Sequence, residues 1–190
     1  MHADNWANKA KQMGYRSRAV FKLEEILKKT KCLQNDSLVL DIGSAPGGWS
    51  ELIKAMAPAA SVYAIDLLTM DPVKDVFFFQ EDLINIHKIP EIYSLKFKFD
   101  LVISDLAPNL TGIRAVDEEN IFELNIITLG TAINYLSMSN GSFIIKTFQN
   151  NLFKKLRTEM EKSFHLVQTY KPAASKSKSG EIYLYGERLL

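Results

Sequence analysis

Two lysines and two carboxylic acids stand in segments of this chain where an isolated charge is unusual. Lys146 lies within an apolar, strand-like run, where a charge is costly unless it is paired. Asp105 closes another such run, Glu181 opens a third, and Lys22 flanks the apolar stripe of an early helix. If the fold brings these side chains together, they form a small buried cluster that is suited to taking a proton from a weak acid such as a ribose hydroxyl.

A glycine-rich turn and two further aspartates predict a ligand site. In parallel sheets, ligands bind at the carboxyl ends of the strands, where Asp66 and Asp82 are expected. The turn at residues 43–48 has neither the G-x-G-x-x-G spacing nor the Gly-Lys-Ser/Thr of a P-loop, which argues against a pyrophosphate ligand. Asp66 is placed to hold ribose hydroxyls and Asp82 an adenine amino group. Either aspartate alone is more often a helix cap or a loop anchor, but with the turn they favour adenosine.

Alternating strands and helices predict a mostly parallel sheet with helices on both faces, an α/β fold. The last two strands have no helix between them, so we expect a terminal hairpin and one antiparallel strand. The aromatic run at residues 77–79 is interpreted as a buried strand. The predicted helices are 16–29, 49–56, 117–138 and 152–162, and the predicted strands are 37–42, 61–67, 76–80, 99–104, 142–148, 165–170 and 182–185.

Length and charge describe one domain with basic ends. The 190 residues suit a single domain, with a basic helical extension at 1–31 and a flexible basic loop at 173–180. Residues 1–31 carry a net charge of +5, residues 32–153 carry −8, and residues 154–190 carry +4. If the ends fold onto one face, that face would attract phosphate. Lysines that are merely solvated at the surface would explain the basic ends equally well.

Several site classes are not expected. Cys32 is the single cysteine, so no internal disulfide forms and a reducing compartment is favoured. His2, His87 and His165 lack metal-ligand spacing, so no metal site is predicted. No apolar run is long enough to span a membrane, so no membrane partner is predicted.

Six stretches carry a resemblance to one enzyme family. On them the chain resembles the FtsJ-type (RrmJ-like) ribose 2′-O-methyltransferases of ribosomal RNA over almost its whole length. The resemblance implies a Rossmann-like methyltransferase fold with a seven-stranded sheet, S-adenosylmethionine as cofactor and a monomer. The stretches are residues 15–26, 45–50, 66–72, 104–112, 146–149 and 171–183.

The same resemblance implies a role for each site residue. Lys146 would be the general base, and Lys22, Asp105 and Glu181 would complete the catalytic set. Trp49 serves equally well as a core residue at a helix start. The residues expected to contact S-adenosylmethionine are Gly47, Trp49, Asp66, Asp82 and Asp105.

The resemblance also suggests a substrate. Residues 106–109 read Leu-Ala-Pro-Asn, as in the bacterial and mitochondrial branch that methylates a uridine of large-subunit ribosomal RNA. The tRNA branch tends to carry Gly-Ala-Pro-Asp there. Lys176 and Lys178 stand where relatives often carry arginine, so bidentate phosphate contacts are lost. The small basic surface suggests an assembled large ribosomal subunit as substrate.

Other functions are weighed against this one. A tRNA 2′-O-methyltransferase and a ribosome-assembly factor that binds the subunit without turnover remain alternatives. A viral cap methyltransferase would need a separate cap-binding domain, and a base amino-methyltransferase usually carries Asp/Asn-Pro-Pro-aromatic after the fourth strand. The protein would work in the cytoplasm of a bacterium, or in a mitochondrion or other organelle of a eukaryote.

Overall fold

The computed structural model describes residues 5–175 and 179–190, and within them seven strands form one sheet. The helices are α1 (Asn5–Gln12), α2 (Val20–Thr30), α3 (Gly48–Met56), α4 (Pro90–Tyr93), α5 (Arg114–Tyr135) and α6 (Phe153–Glu161), with a 3₁₀ helix at Leu83–Lys88. The strands are β1 (Leu38–Ile42), β2 (Ser61–Asp66), β3 (Val76–Gln80), β4 (Leu101–Ser104), β5 (Ser142–Phe148), β6 (Phe164–Tyr170) and β7 (Glu181–Leu189).

The sheet has the order β3-β2-β1-β4-β5-β7-β6. Strands β1 to β5 pair in parallel, whereas β7 is antiparallel to both β5 and β6. The predicted α/β fold, with a mostly parallel sheet and one antiparallel strand, is therefore confirmed. After β3 the chain crosses to the other side of β1 to form β4, and this reversal opens a crevice at the carboxyl ends of the strands.

The sheet is covered by apolar layers on both faces. One layer contains Phe143 and Ile145 of β5 with α5 and α6, and the other contains Ile144 with α2 and α3. Successive strand residues point to opposite faces, so Lys146 shares the face of Ile144. The strand pattern therefore directs Lys146 toward the side of the sheet that carries α2.

Several predicted elements differ from the structure. Helix α2 starts at Val20 rather than at residue 16, and α5 starts and ends three residues earlier than predicted. The 3₁₀ helix and α4 were not predicted, and α1 was predicted only as part of a basic helical extension at 1–31. The interpretation of residues 77–79 as a buried strand is wrong: β3 is an edge strand, and Phe77 is 56% exposed and stacks on Tyr63 at 5.0 Å.

The two basic ends of the chain meet near the end of the sheet. The Ala173 N–H donates a hydrogen bond of 2.8 Å to Glu25 on α2. Lys176, Lys178 and His2 lie outside the described residues. Within the described part of the chain, no helix is long and apolar enough to cross a bilayer, and no three His, Cys, Asp or Glu side chains are grouped to hold a metal ion.

Gly186 provides a test of the packing of β7. A Cβ at this position would lie 2.8 Å from two ring carbons of Phe164, which stacks on Phe143 at a centroid distance of 6.2 Å. We expect Gly186→Ala to destabilise the protein by about 1–3 kcal/mol through overpacking, measured by thermal or urea unfolding. In the matched control Gly130→Ala, the new Cβ meets no atom within 4 Å, so stability should be unchanged or slightly increased. Equal stability of the two variants would contradict this packing.

Candidate active site

Lys22 and Glu181 form a buried ion pair between α2 and β7. The Lys22 Nζ lies 2.7 Å from Glu181 Oε1 and 2.8 Å from Oε2, across 159 residues of sequence. The Ser175 hydroxyl donates to Oε1 at 2.8 Å. Burial opposes ionisation of Glu181, but the hydrogen bond and charge of Lys22, with help from Ser175 and the charge of Lys146, outweigh it and lower its pKa. Glu181 is therefore held as a carboxylate acceptor.

Lys146 and Asp105 form a second pair at the carboxyl ends of β5 and β4. The Lys146 Nζ lies 3.2 Å from Asp105 Oδ1 and also donates to the backbone carbonyl of Asp105. Tyr183, which faces Lys146 in the β5–β7 ladder, donates its hydroxyl proton to the same Oδ1 at 2.9 Å. Burial, followed by the charges of Asp105 and Glu181, raises the Tyr183 pKa well above its usual value, so this residue remains a neutral donor.

The two pairs lie close to each other around Tyr183. The Lys22 Nζ is 6.0 Å from the centroid of the Tyr183 ring, and Lys146 contributes to lowering the pKa of Glu181. The structure thus brings Lys22, Asp105, Lys146 and Glu181 together. Two ammonium groups and two carboxylates in a partly buried site can orient a hydroxyl and exchange its proton.

A cleft of about 550 Å³ opens beside this cluster, at the carboxyl ends of β1, β2 and β4. Gly43, Asp66 and Asp105 are in its wall. A second, mostly apolar pocket of about 100 Å³ shares Gly43 and Asp66 with the cleft and also has Asp82 in its wall. Both cavities are mostly apolar with a few carboxylates in their walls, which suits a small organic ligand that carries some polar groups.

The turn between β1 and α3 has little space for side chains and leaves two buried polar atoms unpaired. Gly43 has φ +76°, which favours glycine, and a Cβ there would lie 2.3 Å from Leu106 Cδ2, so Leu106 packs directly against this backbone. Asp41 Oδ1 and Ser44 Oγ, at either side of Gly43, are buried without a hydrogen-bond partner among the described residues. Buried polar atoms usually have a partner, so this turn fits a ligand that carries polar groups.

The aspartates expected to bind the ligand also anchor local structure. Asp66 accepts the Ala45 N–H at 2.9 Å and the Leu68 N–H at 2.8 Å. Asp82 caps the 3₁₀ helix by accepting the Ile84 N–H at 3.0 Å. Since each carboxylate has about four lone-pair sites, both retain acceptor capacity toward a ligand.

Trp49 and Gly47 are not among the residues that line the cleft. The Trp49 side chain is only 4% exposed, and its indole N–H donates to the Ala19 carbonyl at 2.9 Å. Its ring lies 6.0 Å from that of Tyr183, so the Trp49 side chain packs in the core, as one of the two interpretations of the sequence had it. Gly47 has φ +101° at the start of α3, where the first backbone N–H groups have no partner within the helix.

Sequence reasoning missed three residues of this region. Tyr183 lies two residues after Glu181, and strand alternation was the signal that it would share the same face. Asp41 is a charged residue inside the apolar strand β1, the same signal that pointed to Lys146. The role of Arg16 had no signal in the sequence, because its partners are backbone carbonyl groups.

Comparison with known proteins assigns the chain to a family. The FtsJ-like methyltransferase family model matches residues 15–189. The chain belongs to this family. It is 37% identical over 187 residues to ribosomal RNA large subunit methyltransferase E of Methanocella arvoryzae, covering 98% of this chain and 73% of the relative. It is 39% identical over 188 residues to the protein of the same name from Acinetobacter baumannii, covering 97% and 86%.

Solved structures support the fold of this FtsJ-like methyltransferase. A Plasmodium falciparum protein assigned as a ribosomal RNA methyltransferase superposes with a TM-score of 0.82 and 32% identity, covering 93% of this chain and 99% of that one. A fibrillarin/Nop5p complex superposes with a TM-score of 0.58 at 18% identity, covering 82% and 74%, and shares the fold alone.

Asp41 is a buried carboxyl group below the turn of this methyltransferase. Its Oδ2 accepts the Ser50 hydroxyl at 2.6 Å. Burial raises the pKa of Asp41 to about 7, and the charges of Asp105 and Asp66 add to this against the hydrogen bond from Ser50. Because the folded pKa lies above the unfolded one, the stability that Asp41 contributes is present below about pH 4 and is lost as the pH rises through about 7.

Asp41→Asn tests this linkage, because the amide cannot ionise. We expect the stability of the variant relative to the parent protein to increase between pH 4 and pH 7 and then to level off, as measured by urea unfolding. Asp36→Asn makes the same chemical change at an exposed position and should show no such trend. A pH-independent difference between Asp41→Asn and the parent would contradict the raised pKa.

Proposed function

We propose that this protein is an S-adenosylmethionine-dependent 2′-O-ribose methyltransferase that acts on a uridine of large-subunit ribosomal RNA. The observation that carries the proposal is the meeting of two lysine–carboxylate pairs beside a cleft at the carboxyl ends of the sheet. The relatives named ribosomal RNA large subunit methyltransferase E support the substrate class.

The cluster suits proton removal from a ribose hydroxyl. S-adenosylmethionine, when bound, supplies an electrophilic methyl group on a sulfonium. Lys146 in its neutral amine form accepts the proton of the 2′-hydroxyl. Asp105 and the Tyr183 hydroxyl hold Lys146 in place, and Glu181 holds Lys22 as a fixed positive charge. This preorganisation aligns the acceptor oxygen without reorganisation of water.

The cleft residues would hold the cofactor by its polar groups. In this proposal Asp66 accepts from the ribose hydroxyls and Asp82 from the adenine amino group, since both aspartates line the apolar pocket. Neither Gly47 nor Trp49 lines the cleft, so in this proposal a contact of either residue with the cofactor would come from the backbone at the start of α3 and not from the buried Trp49 side chain. Asp105 lines the cleft and contacts Lys146, so it would connect the cofactor to the base.

In this proposal the substrate is an assembled subunit rather than naked RNA, and the engagement of three lysines within the protein supports this choice. Lys28 and Lys29 pair with glutamates one turn earlier on α2. Lys171 donates to the carbonyls of Ser179 and Glu181, and therefore closes the loop that it begins. Cations engaged in this way contribute less to phosphate binding, so a structured subunit would have to supply further contacts.

A tRNA methyltransferase and a non-catalytic assembly factor are the alternatives. An assembly factor would need no convergence of two buried lysines with two carboxylates, since burying such charges is costly. The cluster therefore favours an enzyme. The choice between ribosomal RNA and tRNA rests on the names of the relatives and on the substrate test below.

Lys146→Ala tests the function directly. We expect the variant to lose about 10²–10⁴-fold in methyl transfer, the usual contribution of a general base, while S-adenosylmethionine still binds. Transfer of labelled methyl groups to unmodified large subunits, free ribosomal RNA and tRNA, followed by nucleoside mass analysis, measures the transfer and its target, and calorimetry measures the binding of S-adenosylmethionine. Lys154→Ala, at an exposed position of α6, is the matched lysine control.

The outcomes separate the three functions. Label on a uridine ribose of the large subunit that is lost in Lys146→Ala supports the proposal. Label on tRNA alone moves the protein to the tRNA branch. A protein that binds S-adenosylmethionine and the subunit but labels no RNA would be an assembly factor. Equal loss of cofactor binding in Lys146→Ala would contradict its role as base.

A further inference from the structure

Arg16 donates its hydrogen bonds to backbone carbonyl groups of the protein itself. Its Nη1 donates to the carbonyls of Pro46 at 3.0 Å and Asp71 at 2.6 Å, and its Nη2 donates to Pro72 at 2.8 Å. Its Nε lies 4.0 Å from Glu51 Oε1. A guanidinium has five N–H donors, so three are used and a fourth faces a carboxylate. This geometry differs from the expectation that basic residues of the N-terminal segment attract phosphate.

The carbonyls that Arg16 binds belong to the two segments that line the cleft. Pro46 lies in the turn between β1 and α3, and Asp71 and Pro72 lie in the connection between β2 and β3. These same two segments contribute Gly43 and Ala45, and Leu67 and Leu68, to the wall of the cleft. The hydrogen bond from Ala45 to Asp66 joins them next to the cleft, and Arg16 joins them behind it.

Packing around Gly47 shows how closely Arg16 fits between the segments. A Cβ at Gly47 would lie 3.0 Å from each of Arg16 Nη1, Met70 Sδ and Val73 Cγ2. The turn, the connection and the guanidinium therefore meet closely, and an added carbon would require these side chains to shift. A lysine at position 16 could not reproduce this, because its ammonium lacks the planar fork that reaches three carbonyls.

We propose that Arg16 is a positioning residue that clamps the two cofactor-lining segments, and that it is not a contact for RNA phosphate. The clamp holds the cleft in its binding shape before the cofactor arrives, which raises affinity by reducing the ordering cost of binding. It also joins the cofactor site to α2, because residue 16 is six positions before Lys22 and the Ala19 carbonyl is bound by Trp49.

This inference rests on the proposed function, because it takes S-adenosylmethionine as the ligand of the cleft. The test compares Arg16→Ala and Arg16→Lys with Lys11→Ala, which removes one positive charge from an exposed site in the same segment. Calorimetry gives the dissociation constant of S-adenosylmethionine, steady-state kinetics gives KM for cofactor and RNA, and hydrogen exchange of the cofactor-free protein reports on residues 43–48 and 67–75.

We expect both Arg16 variants to weaken cofactor binding about tenfold or more, the effect of losing about one charge-assisted hydrogen bond, with kcat at saturating cofactor much less affected. Hydrogen exchange should become faster in residues 43–48 and 67–75. Lys11→Ala should leave both cofactor affinity and exchange unchanged. Arg16→Lys keeps the positive charge but removes the planar guanidinium. If this variant also binds the cofactor weakly, the geometry of the guanidinium is needed and the charge alone is not enough.

Two results would overturn the clamp. The first is unchanged cofactor affinity in the Arg16 variants together with a raised KM for RNA, which is the behaviour of a phosphate contact. The second is unchanged hydrogen exchange in both segments. If the parent protein itself does not bind S-adenosylmethionine, the proposed function fails, and the exchange measurement still decides whether Arg16 holds the segments.

Discussion

The site depends on neutralising two lysine ammonium groups that are almost withdrawn from water. Lys22 and Lys146 are only 5% and 9% exposed. Removing one partner from a buried ion pair typically costs about 3–5 kcal/mol, because the remaining charge is left uncompensated. Glu181 and Asp105 supply those partners from distant parts of the chain. The pair of Lys22 with Glu181 forms only when the first long helix is docked against the last strand, so the chemistry requires the completed fold.

The antiparallel strand makes this convergence possible. Because β7 runs against β5, its first residue lies at the carboxyl end of β5, and the register pairs Glu181 with Phe148 and Tyr183 with Lys146. A parallel final strand would place the same glutamate at the amino-terminal ends of the parallel strands, away from the cleft. The reversal in β7 therefore places Glu181 at the carboxyl ends of the parallel strands, where Asp66 and Asp105 also lie.

The sequence predicted those parts of the fold and site that depend on local pattern. Alternation of strands and helices predicted the sheet, and isolated charges within or beside apolar segments pointed to the four residues of the cluster. Non-local features were not predictable in this way. The exposure of Phe77 depends on the place of β3 at the edge of the sheet, which strand periodicity does not encode. The contacts of Arg16 are made to carbonyl groups, and these leave no signature in the choice of side chains.

The hydrogen bonds of the two carboxylates indicate different roles for the two lysines. Glu181 receives Lys22 on both oxygens and Ser175 on one, whereas Asp105 shares a single oxygen between Lys146 and the Tyr183 hydroxyl. Lys22 is thus held by two short contacts to one carboxylate, whereas Lys146 is held by a hydrogen bond to the Asp105 backbone carbonyl and by a contact of 3.2 Å to a carboxylate oxygen that also accepts from Tyr183. On this basis we propose that Lys22 provides a constant charge and that Lys146 exchanges the proton, because Asp105 divides one oxygen between two donors and so compensates the charge of Lys146 less fully than Glu181 compensates that of Lys22.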